Sequence, residues 1–259
     1  MKSVFSVLSA EQAYKILYGS KTSPVTVQRL DQPEWLDEGR GSDADVAANL
    51  EEMWRINLRL GGLRALTRHL YPRLMAAAGP LTLLDLGTGS AHLPLALASW
   101  ARAKDRTLHV CGIDWAPRNL AVARHKVIEQ PNVSLLQADA SRLPLRTGGV
   151  DFVVSSLFLH HFAPGAAVEL LRSAAAVARR SVIMSDLVRG RLPWLAFKLV
   201  QPAFARQALT RHDGALSIRR AYTPAELREL AAAAGLRGAR VYEHWPWRMT
   251  LVADRGPDA

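Results

Sequence analysis

The stretch Leu83–Pro94, LLDLGTGSAHLP, holds the first residues with chemistry in them. An apolar run ends in Asp85, passes through Gly87 and Gly89, and continues into a helical pattern from Ala91. Glycines there let the chain turn sharply and let a ligand touch the backbone. The helix that follows offers unpaired N–H groups and a positive dipole end. A dinucleotide fingerprint, G-x-G-x-x-G, fails because its sixth position is His92. A phosphate-binding loop would need a Gly-Lys-Ser/Thr ending, and none is present.

Further residues fall at matching places along the chain. "VCGIDWAP" puts Asp114 at the tip of a second strand, where a carboxylate suits a pair of ribose hydroxyls, with Trp115 beside it. "QADASRLPL" brings Asp139 and Ala140 to the end of a third. "SSLFLHHF" ends a fourth strand in His160 and His161, and histidine suits a general base near neutral pH. Tyr222, His212 and His244 are weaker candidates outside any motif, and Asp186, Arg211, Arg219 and Arg220 could line an acceptor site.

The pattern Asp85, Gly87, Gly89, Ala91 resembles the first motif of the class I S-adenosylmethionine (SAM)-dependent methyltransferases, D-x-G-x-G-x-G, with alanine for the third glycine. The resemblance runs over roughly residues 45–255. It implies that Asp85, Gly87, Gly89 and Ala91 form the cofactor loop and that Asp114 binds the ribose. By the same resemblance Trp115 is expected to pack on the adenine face, Asp139 to accept from the adenine amine, and the Ala140 backbone to meet the ring. Asp151 carries over only as a structural acid. Relatives that methylate small molecules often place a histidine or a pair at the methyl-bearing end, so His160 and His161 are the catalytic candidates. His161 is expected to be the one that only braces the loop. No metal site is expected.

These residues need a scaffold of alternating strands and helices. "LTLLDLG", "LHVCGID", "VSLLQAD", "GVDFVVSSLFL" and "SVIMSDL" read as strands. "AHLPLALASWARA", "PRNLAVARHKVIEQ" and "GAAVELLRSAAAVARR" read as the helices between them. Near-continuous apolar strands alternating with helices predict a mostly parallel sheet covered on both faces. "ARVYEHWPWRMTLVADR" reads as a terminal antiparallel hairpin around Pro246. The expected fold class is therefore α/β: a Rossmann-like, seven-stranded, mostly parallel sheet with an antiparallel C-terminal hairpin. Ser42 to Asp45 and Thr223 to Glu226 are capping boxes that open helices. Residues 1–80 are expected as an N-terminal helical cap on the substrate side. Residues 81–259 are expected as the SAM-binding domain, with a lid insertion at about 188–222 that is apolar but broken by Pro193 and Pro202.

The totals narrow the class. The 259 residues suffice for one large α/β domain, and 49% are apolar. The single cysteine, Cys111, excludes an internal disulfide and a Cys-based zinc site, and fits a reducing, cytoplasmic setting. Met1–Lys15 reads as ordered protein rather than a signal peptide. A formal charge of +10 favours anionic partners such as phenolates, acidic lipid surfaces or nucleic acid. Nucleic acid is disfavoured, because there is no Asn/Asp-Pro-Pro-Tyr-type motif, no cysteine nucleophile outside a strand and no appended RNA-binding module.

The expectation is a SAM-dependent methyltransferase acting on a small hydrophobic acceptor, which is aromatic, polyketide-, quinone- or lipid-like, with oxygen ahead of carbon. Contact with a membrane surface stays open, as does the oligomeric state. The alternatives are an RNA or protein methyltransferase and a SAM-binding protein without turnover.

Overall fold

The computed structural model describes residues 27–255. The reading of Met1–Lys15 lies outside the described residues. Two helices come first, α1 (Asp43–Arg59) and α2 (Gly62–Ala76). Ser42 caps α1 in a capping box with Asp45, as its spacing predicts. Then follow β1 (Leu81–Leu86), α3 (His92–Ala103), β2 (Leu108–Asp114), α4 (Pro117–Val127), β3 (Val133–Gln137) and β4 (Val150–Ser156). A 3₁₀ turn at Leu159–His161 leads to α5 (Pro164–Val177) and β5 (Ala178–Leu187). The chain ends in α6 (Arg191–Phe204), α7 (Ala208–Arg220), α8 (Pro224–Ala233), β6 (Arg240–His244) and β7 (Arg248–Asp254).

The seven strands form one sheet in the order β3-β2-β1-β4-β5-β7-β6. The pairs among β1 to β5 are parallel, while β7 runs antiparallel to β5 and to β6. The terminal hairpin thus sits at one edge, with Trp245, Pro246 and Trp247 at its turn. One face is packed by Leu66, Leu70 and Leu74 of α2 and by Leu93 and Leu97 of α3. The other is packed by Leu170 and Leu171 of α5 and by Leu227 and Leu230 of α8. Each fully buried leucine contributes about 1.5–3 kcal/mol, so both faces are firmly held under the strand ends that carry the site.

Three stretches differ from their sequence pattern. Arg179 and Arg180, read as the end of a helix, belong to β5. Arg179 Nη1 and Arg180 Nε donate to Asp151 at 2.8 and 3.2 Å. The same carboxylate accepts from Thr82 N at 3.0 Å, so it ties the starts of β1, β4 and β5 together. The segment with Pro193 and Pro202 is one helix, α6. Pro193 falls in its first turn, where the missing N–H has no intrahelical partner to lose. Pro202 falls in the last turn. The segment from Arg211 to Arg220, expected as lining or as a solvated loop, belongs to the largely buried helix α7, which lines the cavities through Asp213, Ser217 and Ile218.

Candidate active site

The carboxyl ends of β1, β2 and β4 open into a cleft of about 570 Å³. Asp85, Gly87, Gly89, Asp114, Trp115, Asp139 and Ala140 line one part of it. Glu34, Asp37, His160, His161 and Asp213 line another. Nine of the ten site residues expected from sequence therefore meet in one cavity. Ala91 is the exception.

Gly87 and Gly89 both adopt left-handed backbone, with φ of 70° and 55°. A Cβ on Gly87 would also lie 2.1 Å from the Phe158 ring, so no side chain fits there. Ala91 is fully buried, does not line the cleft, and caps α3 with φ 60°. A left-handed turn at that place suits glycine best, and alanine takes it at some steric cost.

Asp114 Oδ2 accepts from Gly89 N at 2.8 Å, and its Oδ1 accepts from Ala116 N at 2.9 Å. Burial pushes its carboxyl above the ordinary range. Asp85 is buried more deeply. Burial pushes its carboxyl up to about 7, and the neighbouring Asp114 charge adds to the rise. Trp115 is 72% exposed and presents a free aromatic face to the cleft. Asp139 accepts from Ser141 N at 2.8 Å and from Ser141 Oγ at 2.7 Å, which lowers its carboxyl pKa. Bare backbone, a ribose-range carboxylate and an open indole face fit a nucleoside with an amino-acid tail.

The two histidines differ sharply. His160 is 1% exposed. Its Nδ1 lies 2.8 Å from Asp186 Oδ1, its backbone N donates to Asp186 Oδ2 at 3.0 Å, and its Nε2 lies 3.4 Å from Glu34 Oε1. Burial alone would lower its pKa, but Asp186 and Glu34 outweigh burial and raise it to about 9. His161 is less enclosed. Its Nδ1 lies 2.9 Å from Asp37 Oδ2, and its Nε2 is 3.9 Å from Glu34 Oε2. The expectation that His161 is the bracing residue is reversed by this packing: His160 is the clamped ring. The backbone carbonyls of both are braced by arginines, Arg29 Nη2 on His160 at 3.0 Å and Arg220 Nη2 on His161 at 2.7 Å.

Arg220 is buried and also reaches Asp37 at 3.3 Å, so it organises the cluster instead of greeting an anion. Tyr222 Oη donates to Phe162 O at 2.6 Å. His212 stacks on Trp35 and pairs with Asp213 at 2.7 Å. His244 faces His69 and does not line the cleft. Sequence reasoning missed Glu34 and Asp37, which lie in a stretch without period. The only signal there was two acids flanking an aromatic-apolar pair, EWLD.

A second chamber of about 150 Å³ adjoins the cleft and shares Met53 and Leu157 with it. It is lined by Ile56, Leu187, Phe197 and Ile218, among others, and by Arg248. Arg248 is buried, and its Nη1 has no hydrogen-bond partner among the described residues.

A seven-stranded sheet of this order, with ligand-binding strand tips and an antiparallel terminal hairpin, defines the Rossmann-like methyltransferase fold. Residues 83–181 match the model of a methyltransferase domain. No curated protein matches the sequence. A SAM-dependent methyltransferase from Aquifex aeolicus is similar at TM-score 0.56 and 17% identity, over 83% of this chain and 99% of that one. PigF, solved with SAH, is similar at TM-score 0.60 and 18% identity over 93% of this chain; the match spans only 65% of PigF. The plantazolicin methyltransferase BamL, solved with a triazolic desmethylPZN analog and SAH, is similar at TM-score 0.53 and 15% identity, over 77% and 76% of the two chains. Residues 83–181 thus match as a methyltransferase domain, on a fold shared with SAM-dependent methyltransferases.

Proposed function

We propose that this enzyme methylates an oxygen of a small, largely hydrophobic acceptor that carries an anionic or ionisable group. The observation that carries this is the pair of adjoining cavities. The cleft that Glu34, Asp37 and His161 line shares Met53 and Leu157 with an apolar chamber that Arg248 also lines. An aromatic or acyl body fits the chamber, and the Arg248 guanidinium, whose Nε donates to Leu60 O while Nη1 has no partner among the described residues, suits a carboxylate or phenolate. The segment 188–222, as α6 and α7, supplies Pro193, Phe197 and Ile218 to that chamber, which supports its role as the roof over the acceptor.

SAM supplies a methyl group already activated on a sulfonium. The chain's residues align and desolvate the acceptor, since methyl transfer is an in-line displacement that gains most from positioning. An acceptor oxygen forms its bond to the methyl carbon as the sulfur–carbon bond breaks, and the acceptor's proton must leave. His161 is the side chain placed to touch that oxygen, with Nδ1 engaged by Asp37 and Nε2 turned inward. His160 is a positioning residue. The test is calorimetric titration with S-adenosylhomocysteine, followed by a methylation screen of phenols, enolisable ketides and aromatic acids, each against its esterified analogue. Turnover of free acids and phenols over blocked analogues is expected. Turnover confined to RNA or protein substrates would replace this proposal.

A further inference from the structure

The cluster at the polar end of the cleft has a feature that proton transfer alone does not explain. Both histidines turn their Nδ1 atoms to carboxylates, Asp186 for His160 at 2.8 Å and Asp37 for His161 at 2.9 Å. Both Nε2 atoms then converge on one further carboxylate, Glu34, at 3.4 and 3.9 Å. Glu34, His160 and His161 each present a ligand atom, and all of these lie within 4.8 Å of one another. His160 Nε2 is fully buried without a hydrogen-bond partner among the described residues. Ser217 Oγ donates to Glu34 Oε1 at 2.7 Å and fixes that carboxylate as well.

We infer that Glu34, His160 and His161 bind a divalent first-row metal ion. Three arguments meet here. A metal-binding imidazole nearly always donates its other N–H to a carboxylate, and both rings do. Ligands about 2.1 Å from one ion at a tetrahedral angle sit about 3.4 Å apart, close to the separations seen. Glu34, Asp37 and Asp186 bring three carboxylates to the cluster, which the guanidinium of Arg220 and a dication taking the place of the His160 proton would balance. Two imidazoles and one carboxylate leave coordination positions open, a donor set that takes zinc, ferrous iron or their neighbours.

The role of the ion, though not its binding, rests on the acceptor proposed above. With the ion bound, an open coordination position and not His161 Nε2 itself would meet the acceptor hydroxyl, which ionises more readily there, its proton passing to water in the cleft. The oxygen then attacks the methyl carbon as the sulfonium becomes a neutral thioether. An acceptor with two adjacent oxygens would gain most.

The test uses the full chain after chelator treatment. Zn²⁺ is titrated calorimetrically, and Co²⁺ is followed by visible absorption. One ion per chain and the spectrum of a nitrogen- and oxygen-ligated cobalt are expected. His161→Ala should weaken zinc binding more than tenfold, and Asp37→Asn, at a carboxylate that holds the ring of His161 and is itself held by Arg220, by about 10–100-fold. S-adenosylhomocysteine binding and the melting curve serve as folding controls for both variants. No saturable binding, or wild-type affinity in both folded variants, overturns the site. Zinc binding without methylation of any phenol or acid would leave the ion standing and remove the acceptor proposal. Undiminished methylation by the chelated enzyme would do the reverse to the ion's role.

Discussion

Asp114 Oδ2 accepts a hydrogen bond from Gly89 N at 2.8 Å, joining the tip of β2 to the glycine turn that follows β1. One carboxylate thus shapes the loop and faces the cleft. Asp114→Ala should weaken S-adenosylhomocysteine binding by about 1–3 kcal/mol, the scale of a lost charged hydrogen bond. Calorimetry reads this directly; unchanged affinity would show that the aspartate only holds the loop.

Asp85 should make stability depend on pH. Its carboxyl is raised by burial to about 7 from the ordinary value of 3.8. The folded state therefore holds a proton that the unfolded chain has released between those values. The resulting stability is fully present below about pH 4 and is lost as pH rises through 7. Asp85→Asn should remain folded and should flatten this dependence. Denaturant melts of both proteins at pH 5 and 8 check it: the wild type should lose more stability between the two than the variant.

The two histidines should separate in their effects. His161→Ala should leave the melting temperature and S-adenosylhomocysteine affinity near wild type while lowering turnover. Asp186→Ala strips a buried partner from His160 and should cost about 3–5 kcal/mol of stability. Equal thermal losses in the two variants would contradict the division between a facing and a clamped ring.

Arg248→Leu removes a buried charge without a side-chain partner. A buried charge replaced by an apolar side chain of similar volume is often neutral or stabilising. Stability should hold, while KM rises for acidic acceptors and stays level for their esters. Steady-state kinetics on one acid–ester pair decides it.

Met53 stands where the cleft meets the chamber. Met53→Trp should raise KM about tenfold or more for long acceptors and spare short ones, in line with what pocket shape is worth in discrimination. A uniform loss across acceptor lengths would mean that the chamber takes no part.

The strand-tip residues of the cleft were legible because they are local. Asp85, Gly87 and Gly89 fall within a few residues, and strand-end acids repeat at each β-to-α crossing, so apolar periodicity alone brings Asp114 and Asp139 to one sheet edge. The terminal hairpin was legible for the same reason: alternation and Pro246 lie within one short stretch. Prolines misled at α6, where helix position decides whether a missing N–H matters.

The acceptor half belongs to tertiary structure. His161 meets Asp37 across 124 positions, Ser217 meets Glu34 across 183, and Trp35 N meets Asp213 across 178. Such pairings leave no period in the chain, because each arises only when α7 and the segment before α1 pack over the end of β4. The amino-acid sequence determined the strands, their alternation with helices and the glycine turn at the strand tips, since those follow from patterns a few residues long. Only the packed chain decided which histidine is clamped, which faces the cleft and which acids surround them, because burial and charge balance at that point are set by residues far apart in sequence.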